Sequence, residues 1–414
     1  MQAIINWLEV SLAPNMNKIN NNIWVQTLKD SMMQILPMIF VGSLVTMLAI
    51  LQDFFPAIPN LWTMVSYSFG IVGLFVAFLI PFNYMERRKL HHLRLVAGMA
   101  AAGMYLMSSY LHEPEKFAFE SLGAGGIFVA IIVGIFSGTV VGLFGKFSFF
   151  KEDSSIPEFV RAWFDNMIPV TLCIGVAWFL IEILSLDIYS LINAALSPLT
   201  FFSESIVGFT LLYFLMCFLY TMGISTWMIY SLTGPIMLAN ITENAANIAA
   251  GLSPVKIMTS EVIYSGWIAI GGAGGTMLLC LMLVFLAKSR RLKAIGKASI
   301  FPSILNINEP IVFGTVVWNP ILMIPMWIHG IVAPVITFLW LKGGLANIPS
   351  GVFAFWYFPF PASTWIVSRS LGGLVLVAIL LAVNFLIYYP FFKLYDRQQV
   401  AAEAEKAAKK AAAN

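Results

Sequence analysis

The chain has 414 residues, of which 60% are hydrophobic and only 10% are charged, with a mean hydropathy of +0.87. A soluble domain carries about 25% charged residues, so this composition excludes an ordinary soluble protein and predicts several membrane crossings. The net charge of +3 is too small to indicate a nucleic-acid partner. The three cysteines and four histidines lack the spacing of a disulfide framework or a metal site. We therefore expect neither a metal nor a cofactor.

Apolar stretches of about 20 residues, the length that crosses a bilayer, recur along the chain. The polar and amphipathic residues 1–30 precede them and are predicted to lie at the cytoplasmic surface. The ten predicted spans lie at about 31–51, 64–82, 95–111, 125–145, 167–186, 205–222, 224–240, 266–287, 320–341 and 372–392. Between the last two spans, the interrupted residues 342–365 predict a re-entrant segment.

Basic residues are concentrated in three of the predicted loops, at residues 83–94, 146–165 and 288–297. The only Lys or Arg residues of the alternate loops before residue 266 are Lys116 and Lys256. Cytoplasmic loops of membrane proteins carry an excess of Lys and Arg. Ten spans with both termini in the cytoplasm place all three basic loops on that side. The sequence thus predicts an all-α, polytopic membrane protein with cytoplasmic termini.

Residues 303–320, SILNINEPIVFGTVVWNP, form a polar segment between strongly apolar flanks. The segment contains Asn306, Asn308 and Glu309 together with two prolines, which disfavour a straight helix because each lacks a backbone donor. A carboxylate at membrane depth is costly without partners, water or a ligand. Broken backbone at that depth is buried in protein or lines a cavity. We predict a re-entrant hairpin that presents polar groups to a polar solute; the alternative is a structural cluster that fixes a kink.

Three further segments combine small or hydroxyl side chains with helix breakers. In residues 265–277 the sequence GGAGG allows close approach of a ligand or of another backbone, and ordinary helix packing is the alternative. In residues 221–235 the hydroxyl groups either bind a solute or satisfy local carbonyl groups. In residues 359–364 the hydroxyl groups either bind a hydroxyl-rich solute or belong to a kinked interface loop. The candidate binding residues of these segments are Gly272, Thr276, Ser225, Thr226, Ser363 and Thr364.

A break in hydropathy near residues 146–165 divides the predicted spans into two halves. The first half is poor in charge at membrane depth, whereas the second carries Glu309, the glycine cluster and the re-entrant segments. The first half is therefore expected to provide scaffold and oligomer contacts and the second to bind the solute. The predicted parts are an interfacial segment (1–30), a first membrane half (31–146), an amphipathic linker (147–166), a second membrane half (167–392) and a cytoplasmic tail (393–414). The last residues of the tail, 401–414, are rich in Ala, Lys and Glu and are expected to be helical or disordered, without chemistry of their own.

Residues 262–325 resemble the membrane permease subunit, enzyme IIC, of bacterial sugar phosphotransferase systems. The resemblance rests on several elements in order: the glycine-rich stretch, a basic loop with a Lys-Ser pair, the segment NINEP and an Asn-Pro pair. It is strongest with the lactose, cellobiose and diacetylchitobiose branch, and weaker similarity extends over nearly the whole chain. The resemblance implies the fold of the glucose superfamily, with ten spans and two re-entrant hairpins, and a homodimer in the bacterial cytoplasmic membrane.

The resemblance also implies a function, namely sugar translocation driven by phosphoenolpyruvate and coupled to phosphorylation of the sugar. The sugar is usually a β-linked disaccharide such as cellobiose, diacetylchitobiose or lactose. The phosphate would come from a phosphocysteine on a separate IIB protein, which receives it from IIA, so that the chain is the membrane subunit of a phosphotransferase. Glu309 would bind the hydroxyl group that accepts phosphate, as a catalytic base, while Asn306 and Asn308 would shape the hairpin.

Two positions depart from the family pattern. Ser225 stands where the family has the histidine of a GIHG motif, and Ala362 stands where the family has tryptophan. Serine cannot carry a positive charge or relay a proton at neutral pH as imidazole does. The alternative function is therefore a divergent sugar carrier or sensor on the same scaffold, without phosphorylation.

Overall fold

The computed structural model describes residues 18, 21–39, 41–42, 45, 48, 59, 61–109, 119–145, 147–150, 156–224 and 226–412. Throughout these residues the regular structure is helical, so the predicted all-α class is confirmed. The α-helices are α1 (Ile23–Gln34), α2 (Trp62–Ser66), α3 (Val72–Arg87), α4 (Arg94–Ser108), α5 (Ile127–Leu143), α6 (Glu158–Trp178), α7 (Ile188–Ser203), α8 (Ile206–Thr221), α9 (Thr226–Ala249), α10 (Met277–Phe285), α11 (Arg290–Ile304), α12 (Glu309–Ile311), α13 (Pro320–Lys342), α14 (Ala362–Ser368) and α15 (Leu371–Ala412). Three π-helical turns are also present, at Phe179–Ile183, Glu261–Gly266 and Val312–Val316.

Several of these helices are long and apolar enough to cross a bilayer. Within the described residues there are five such stretches: Thr63–Arg87, Ala124–Leu143, Glu158–Ile183, Pro320–Lys342 and Leu371–Lys409. A sixth candidate is the pair Ser197–Ser203 and Ile206–Thr221, whose helices meet at an angle of 83°. The chain is thus a multi-pass membrane protein, as predicted. The count of ten spans, the re-entrant hairpins and the orientation of the termini stay predictions.

The contacts between residues divide the described chain into two compact units. The amino-terminal unit comprises residues 19–200 and 230–243, and the carboxyl-terminal unit contains residues 201–229 and 244–412. The functional parts predicted from the sequence have different boundaries, and their roles stay predictions. Most of the predicted site residues belong to the carboxyl-terminal unit.

In the amino-terminal unit, a buried carboxamide joins α1 to α3. Asn83 is 4% exposed and donates to Ser31 Oγ at 3.0 Å and to Gln34 Oε1 at 3.1 Å. Trp24 and Tyr84 stack at 3.9 Å between ring centroids beside this pair. Because a buried polar group is costly without partners, the hydrogen bonds to α1 account for a polar residue inside an apolar helix.

In the carboxyl-terminal unit, small residues let helices approach closely. A Cβ atom added to Gly330 of α13 would lie 3.2 Å from Cys217 Cβ of α8. One added to Gly296 of α11 would lie 2.7 Å from Leu283 Cβ of α10. Such contacts are typical of helices that associate in membranes, where packing replaces the hydrophobic effect. They build the frame around the polar residues described next.

Candidate functional site

The glycine-rich stretch departs from the sequence prediction. The predicted span at 266–287 is helical only from Met277, and residues 267–276 form a series of turns, which we call the glycine loop. Its glycines have φ values of +78°, +100°, +86° and +64° at Gly271, Gly272, Gly274 and Gly275. Residues with a Cβ atom rarely adopt this left-handed region. The glycines therefore break the helix and shape a loop, which corrects the expectation of a thinned helix.

One side of the glycine loop is held by the segment that contains NINEP. Asn308 Nδ2 donates to Ala273 O at 2.7 Å and to Thr276 Oγ1 at 2.9 Å. Thr276 in turn donates to Gly271 O at 2.8 Å. A Cβ atom on Gly272 would lie 2.3 Å from Asn308 Cγ, so only glycine permits this approach. The structure thus brings four of the predicted residues together, when Asn306 is included.

Asn306 connects the glycine loop to a third segment. Its backbone is left-handed, with φ of +59°, and its side chain is 6% exposed. Asn306 Oδ1 accepts a hydrogen bond from the Gly271 N–H at 3.0 Å. Its Nδ2 donates to Trp356 O at 2.8 Å and to Phe358 O at 3.0 Å. The carboxamide has both of its N–H donors engaged within the protein.

The opposite side of the loop is held by residues that the sequence analysis did not select. Tyr213 accepts from the Gly274 N–H at 3.1 Å, and Tyr388 donates to Gly274 O at 2.6 Å. Asn384 Oδ1 lies 2.6 Å from Nδ1 of the fully buried His329. Asn384 could have been found as a carboxamide inside an apolar span, whereas nothing in the sequence distinguishes these tyrosines from the others.

Glu309 differs from its two asparagine neighbours. It is the first residue of α12, and its side chain is exposed. Among the described residues, it makes no hydrogen bond or ion pair of its side chain. Its neighbour Asn308, by contrast, is 3% exposed and also accepts a hydrogen bond from Tyr220 at 3.2 Å. The segment around Asn306 and Asn308, which is hydrogen-bonded within the protein, thus carries one accessible carboxylate.

The remaining predicted residues lie on other elements. Ser363 and Thr364 are both fully buried on α14, which packs against the π-helical turn Glu261–Gly266 that precedes the glycine loop. Thr364 donates to Gly266 O, whereas Ser363 Oγ has no hydrogen-bond partner among the described residues. Thr226 is half-buried at the start of α9, and Ser225 lies outside the described residues.

Metal chemistry receives no support from the geometry. In the ranges that the structure describes, no three His, Cys, Asp or Glu side chains come together as metal ligands. The cysteines Cys173, Cys217 and Cys280 are buried and unbridged. The polar groups of the site are carboxamide, hydroxyl and carboxylate groups, which recognise hydroxyl-rich solutes through hydrogen bonds.

Broken helices around a hydrogen-bonded polar core are typical of membrane transporters. The sequence profile of the family "Phosphotransferase system, EIIC" matches residues 29–330. The chain therefore belongs to this family of sugar permease components, and the predicted resemblance is confirmed.

Individual relatives are similar over almost the whole chain. The lichenan permease IIC component of Bacillus subtilis is 26% identical over 436 residues, which cover 97% of this chain and 96% of that protein. The cellobiose-specific EIIC component of Geobacillus stearothermophilus is 29% identical, with 97% and 96% covered. The lactose-specific EIICB component of Streptococcus mutans is 26% identical over 95% of this chain but only 72% of that protein.

A solved structure is similar in fold as well as in sequence. It is the crystal structure of the transporter ChbC, the IIC component from the N,N'-diacetylchitobiose-specific phosphotransferase system. Its TM-score to this chain is 0.88 at 26% sequence identity, with 96% of this chain and 99% of that chain covered. The helical arrangement described above is therefore that of an EIIC component.

Proposed function

We propose that this permease component translocates a β-linked disaccharide, such as cellobiose, diacetylchitobiose or lactose, which is phosphorylated by a separate IIB protein. The names of the relatives support this class of sugar, since they include cellobiose-specific, lactose-specific and diacetylchitobiose-specific components. The observation that carries the proposal is the accessible Glu309 carboxylate, which lies beside two asparagines whose side chains are hydrogen-bonded within the protein. A carboxylate so placed is a strong acceptor for a sugar hydroxyl group.

In the proposed mechanism, Glu309 accepts a hydrogen bond from the sugar hydroxyl that receives phosphate. It removes the proton of that hydroxyl as the sugar oxygen bonds to phosphorus, while the S–P bond of the phosphocysteine breaks and the cysteine thiolate stays on IIB. Removal of the proton requires a distance of about 2.6–3.2 Å between the carboxylate and hydroxyl oxygen atoms. Asn306 and Asn308 keep the hairpin in place through the glycine loop. The other residues proposed to face the sugar are Gly272, Thr276, Ser225, Thr226, Ser363 and Thr364.

The phosphate donor acts in trans in this proposal, as a phosphocysteine on IIB that is loaded by IIA. The three cysteines of the chain are buried, which makes them unsuitable as carriers. The exposed basic residues of α11, among them Arg290, Lys293 and Lys297, offer a docking surface. We propose a homodimer in the bacterial cytoplasmic membrane, each protomer with ten spans, two re-entrant hairpins and cytoplasmic termini.

Uptake into membrane vesicles tests the proposal. Vesicles that contain the full chain are given labelled cellobiose, lactose or diacetylchitobiose, with or without phosphorylated IIB, and internal sugar phosphate is measured. Sugar phosphate that appears only with IIB supports the proposal and identifies the sugar. Uptake of unmodified sugar regardless of IIB would contradict it, and would mean that Ser225 at the position of the family histidine is incompatible with phosphoryl transfer.

A further inference from the structure

Glu261 is a buried carboxyl group that the proposed mechanism does not use. It begins the π-helical turn Glu261–Gly266, directly before the glycine loop, and is 2% exposed. Its Oε1 accepts a hydrogen bond from the Phe353 N–H at 2.9 Å, and its Oε2 is buried without a hydrogen-bond partner among the described residues. No described Lys, Arg or His forms an ion pair with it.

Such a side chain is costly to bury. A carboxyl group without a charged partner is disfavoured inside a protein, and an apolar side chain of the same size is often tolerated as well or better. Space filling alone therefore does not account for Glu261. What the carboxyl group contributes, and an apolar side chain would not, is hydrogen bonding, and its largest hydrogen-bond interaction is with the Phe353 N–H.

The hydrogen bond to Phe353 holds the segment 353–358, which also contacts Asn306. Phe353 is fully buried, and its carbonyl oxygen accepts a hydrogen bond from Ser265 at 3.4 Å, so the turn holds it by both backbone groups. Only three residues further on, Trp356 O accepts from Asn306 Nδ2, and Phe358 O accepts from the same atom. The segment 353–358 thus joins the turn to the hairpin.

We infer that Glu261 is a positioning residue, which holds the segment 353–358 and through Asn306 sets where Glu309 meets the sugar. Asn306 lies three residues before Glu309, and its left-handed backbone makes the direction of the chain there depend on its anchors. Glu261 acts through its accepted hydrogen bond and does not touch the sugar. The inference deepens the proposed function and rests on the proposed role of Glu309.

Three substitutions separate this role from a general effect on folding. Glu261→Met keeps the size of the side chain and removes the acceptor, and Glu261→Gln keeps an acceptor and removes the carboxylate. Glu204→Met is the matched control, because Glu204 also holds backbone amides, those of Ile257 and Met258, both at 2.8 Å. The control loses a similar clamp in the same unit, one that holds residues 257–258.

The first measurement needs no sugar. Hydrogen–deuterium exchange of the purified full chain reports how firmly each segment is held. With Glu261→Met we expect exchange to become at least about tenfold faster in residues 306–309 and 353–358, since a lost buried hydrogen bond shifts equilibria by this order. Glu261→Gln should exchange like the wild type, and Glu204→Met should leave residues 306–309 unchanged. Faster exchange confined to residues 261–266 and 353–354 would overturn the inference.

The second measurement tests whether Glu261 and Glu309 are energetically coupled. Labelled cellobiose binding is compared among Glu261→Met, Glu309→Gln and the double variant, because residues that act through one another are not additive. We expect the double variant to bind as weakly as Glu309→Gln alone, whereas additive losses would overturn the inference. If the wild type did not bind cellobiose, that result would count against the proposed sugar alone, and the exchange measurement would still decide the role of Glu261.

Discussion

At the scale of single residues, the polar side chains of residues 306–309 are of two kinds, those hydrogen-bonded within the protein and the exposed one. Asn306 and Asn308 each use both side-chain N–H donors on the protein, whereas Glu309 is exposed. A donor that already has a buried partner gains little by exchanging it for a solute. We therefore expect the carboxylate to be the group among residues 306–309 that binds a sugar hydroxyl.

Replacement of Glu309 by Gln should abolish most of the phosphoryl transfer. Gln keeps the size of the side chain but cannot accept a proton, and a positioned general base contributes about 10²–10⁴-fold. We expect IIB-dependent formation of sugar phosphate in vesicles to fall by at least about 100-fold. Glu405→Gln, which changes an exposed glutamate of α15, is the control and should retain full activity. Equal activity of the two variants would contradict the role of Glu309.

Replacement of Gly272 by Ala tests the close contact in the glycine loop. The added Cβ atom would lie 2.3 Å from Asn308 Cγ, at a φ of +100° that alanine rarely adopts. We expect a loss of stability of several kcal/mol, on the order of an overpacked and strained site, measured as a lower midpoint of thermal unfolding in detergent.

Gly251→Ala is the matched control for this prediction. Gly251 also has a positive φ, +74°, but a Cβ atom there would meet nothing within 4 Å. It should lose only the cost of the left-handed backbone, roughly 1–2 kcal/mol. If both variants unfolded at the same temperature, the contact with Asn308 would contribute nothing.

The sequence could reveal those site residues whose polarity differs from that of their neighbours in the chain. Glu309 and the asparagines stand out because they are polar within apolar flanks, and the burial cost of such groups makes them candidates. Glu261 lies outside the predicted spans, so nothing in the sequence indicated that its carboxyl group is buried. The tyrosines that hold Gly274 carry an apolar ring, and their bonds depend on partners distant in the chain.

At the scale of elements, hydropathy located the helices but not their breaks. Residues 266–287 are apolar enough for one span, yet the helix begins at Met277 because four glycines take left-handed backbone. Hydropathy reports the surroundings of a segment and not its φ angles. The helix boundaries around the hairpin had a clearer signal, since proline excludes the interior of a regular helix. Accordingly, α12 begins at Glu309, directly before Pro310, and α13 begins at Pro320.

Two acidic side chains of the predicted tail, residues 393–414, hold the start of the basic helix α11. Asp396 accepts hydrogen bonds from the Lys288 and Ser289 N–H groups at 3.0 and 2.9 Å. Glu403 accepts from Ser289 Oγ at 2.6 Å and from the Arg291 N–H at 2.9 Å. The first N–H groups of a helix lack partners within it, and negative groups there are favourable. The long helix α15 therefore fixes the surface that we propose for IIB.

Loss of this clamp should weaken the docking of IIB. The variant Asp396→Asn with Glu403→Gln removes both charges at a cost of about 1 kcal/mol for each cap. We expect faster hydrogen exchange at residues 288–292 and a lower affinity for phosphorylated IIB in a binding assay. Glu405→Gln, which changes a carboxylate paired with Lys409 at 2.6 Å on the same helix, should alter neither quantity. Unchanged IIB affinity in the double variant would contradict the proposal that IIB docks on α11.

At the scale of the whole molecule, the charge pattern has a consequence for orientation. Residues 288–297, predicted as a loop, are helical from Arg290 as the start of α11 and contain five basic residues, among them the exposed Lys293. The exposed Ser253 lies between residues 241 and 265, where Lys256 is the only Lys or Arg. Basic loops stay in the cytoplasm. The two positions are therefore expected on opposite sides of the membrane.

Cysteine labelling in intact cells tests this orientation, and the chain suits the experiment because its own three cysteines are buried. A membrane-impermeant maleimide should label Ser253→Cys in intact cells. Lys293→Cys should react only after the membrane is permeabilised, since the basic residues around it are expected to lie on the cytoplasmic side. The unmodified chain is the control and should stay unlabelled in both conditions. Labelling of Lys293→Cys from outside would place the basic helix beyond the reach of IIB, and would overturn both the predicted orientation and the docking surface with it.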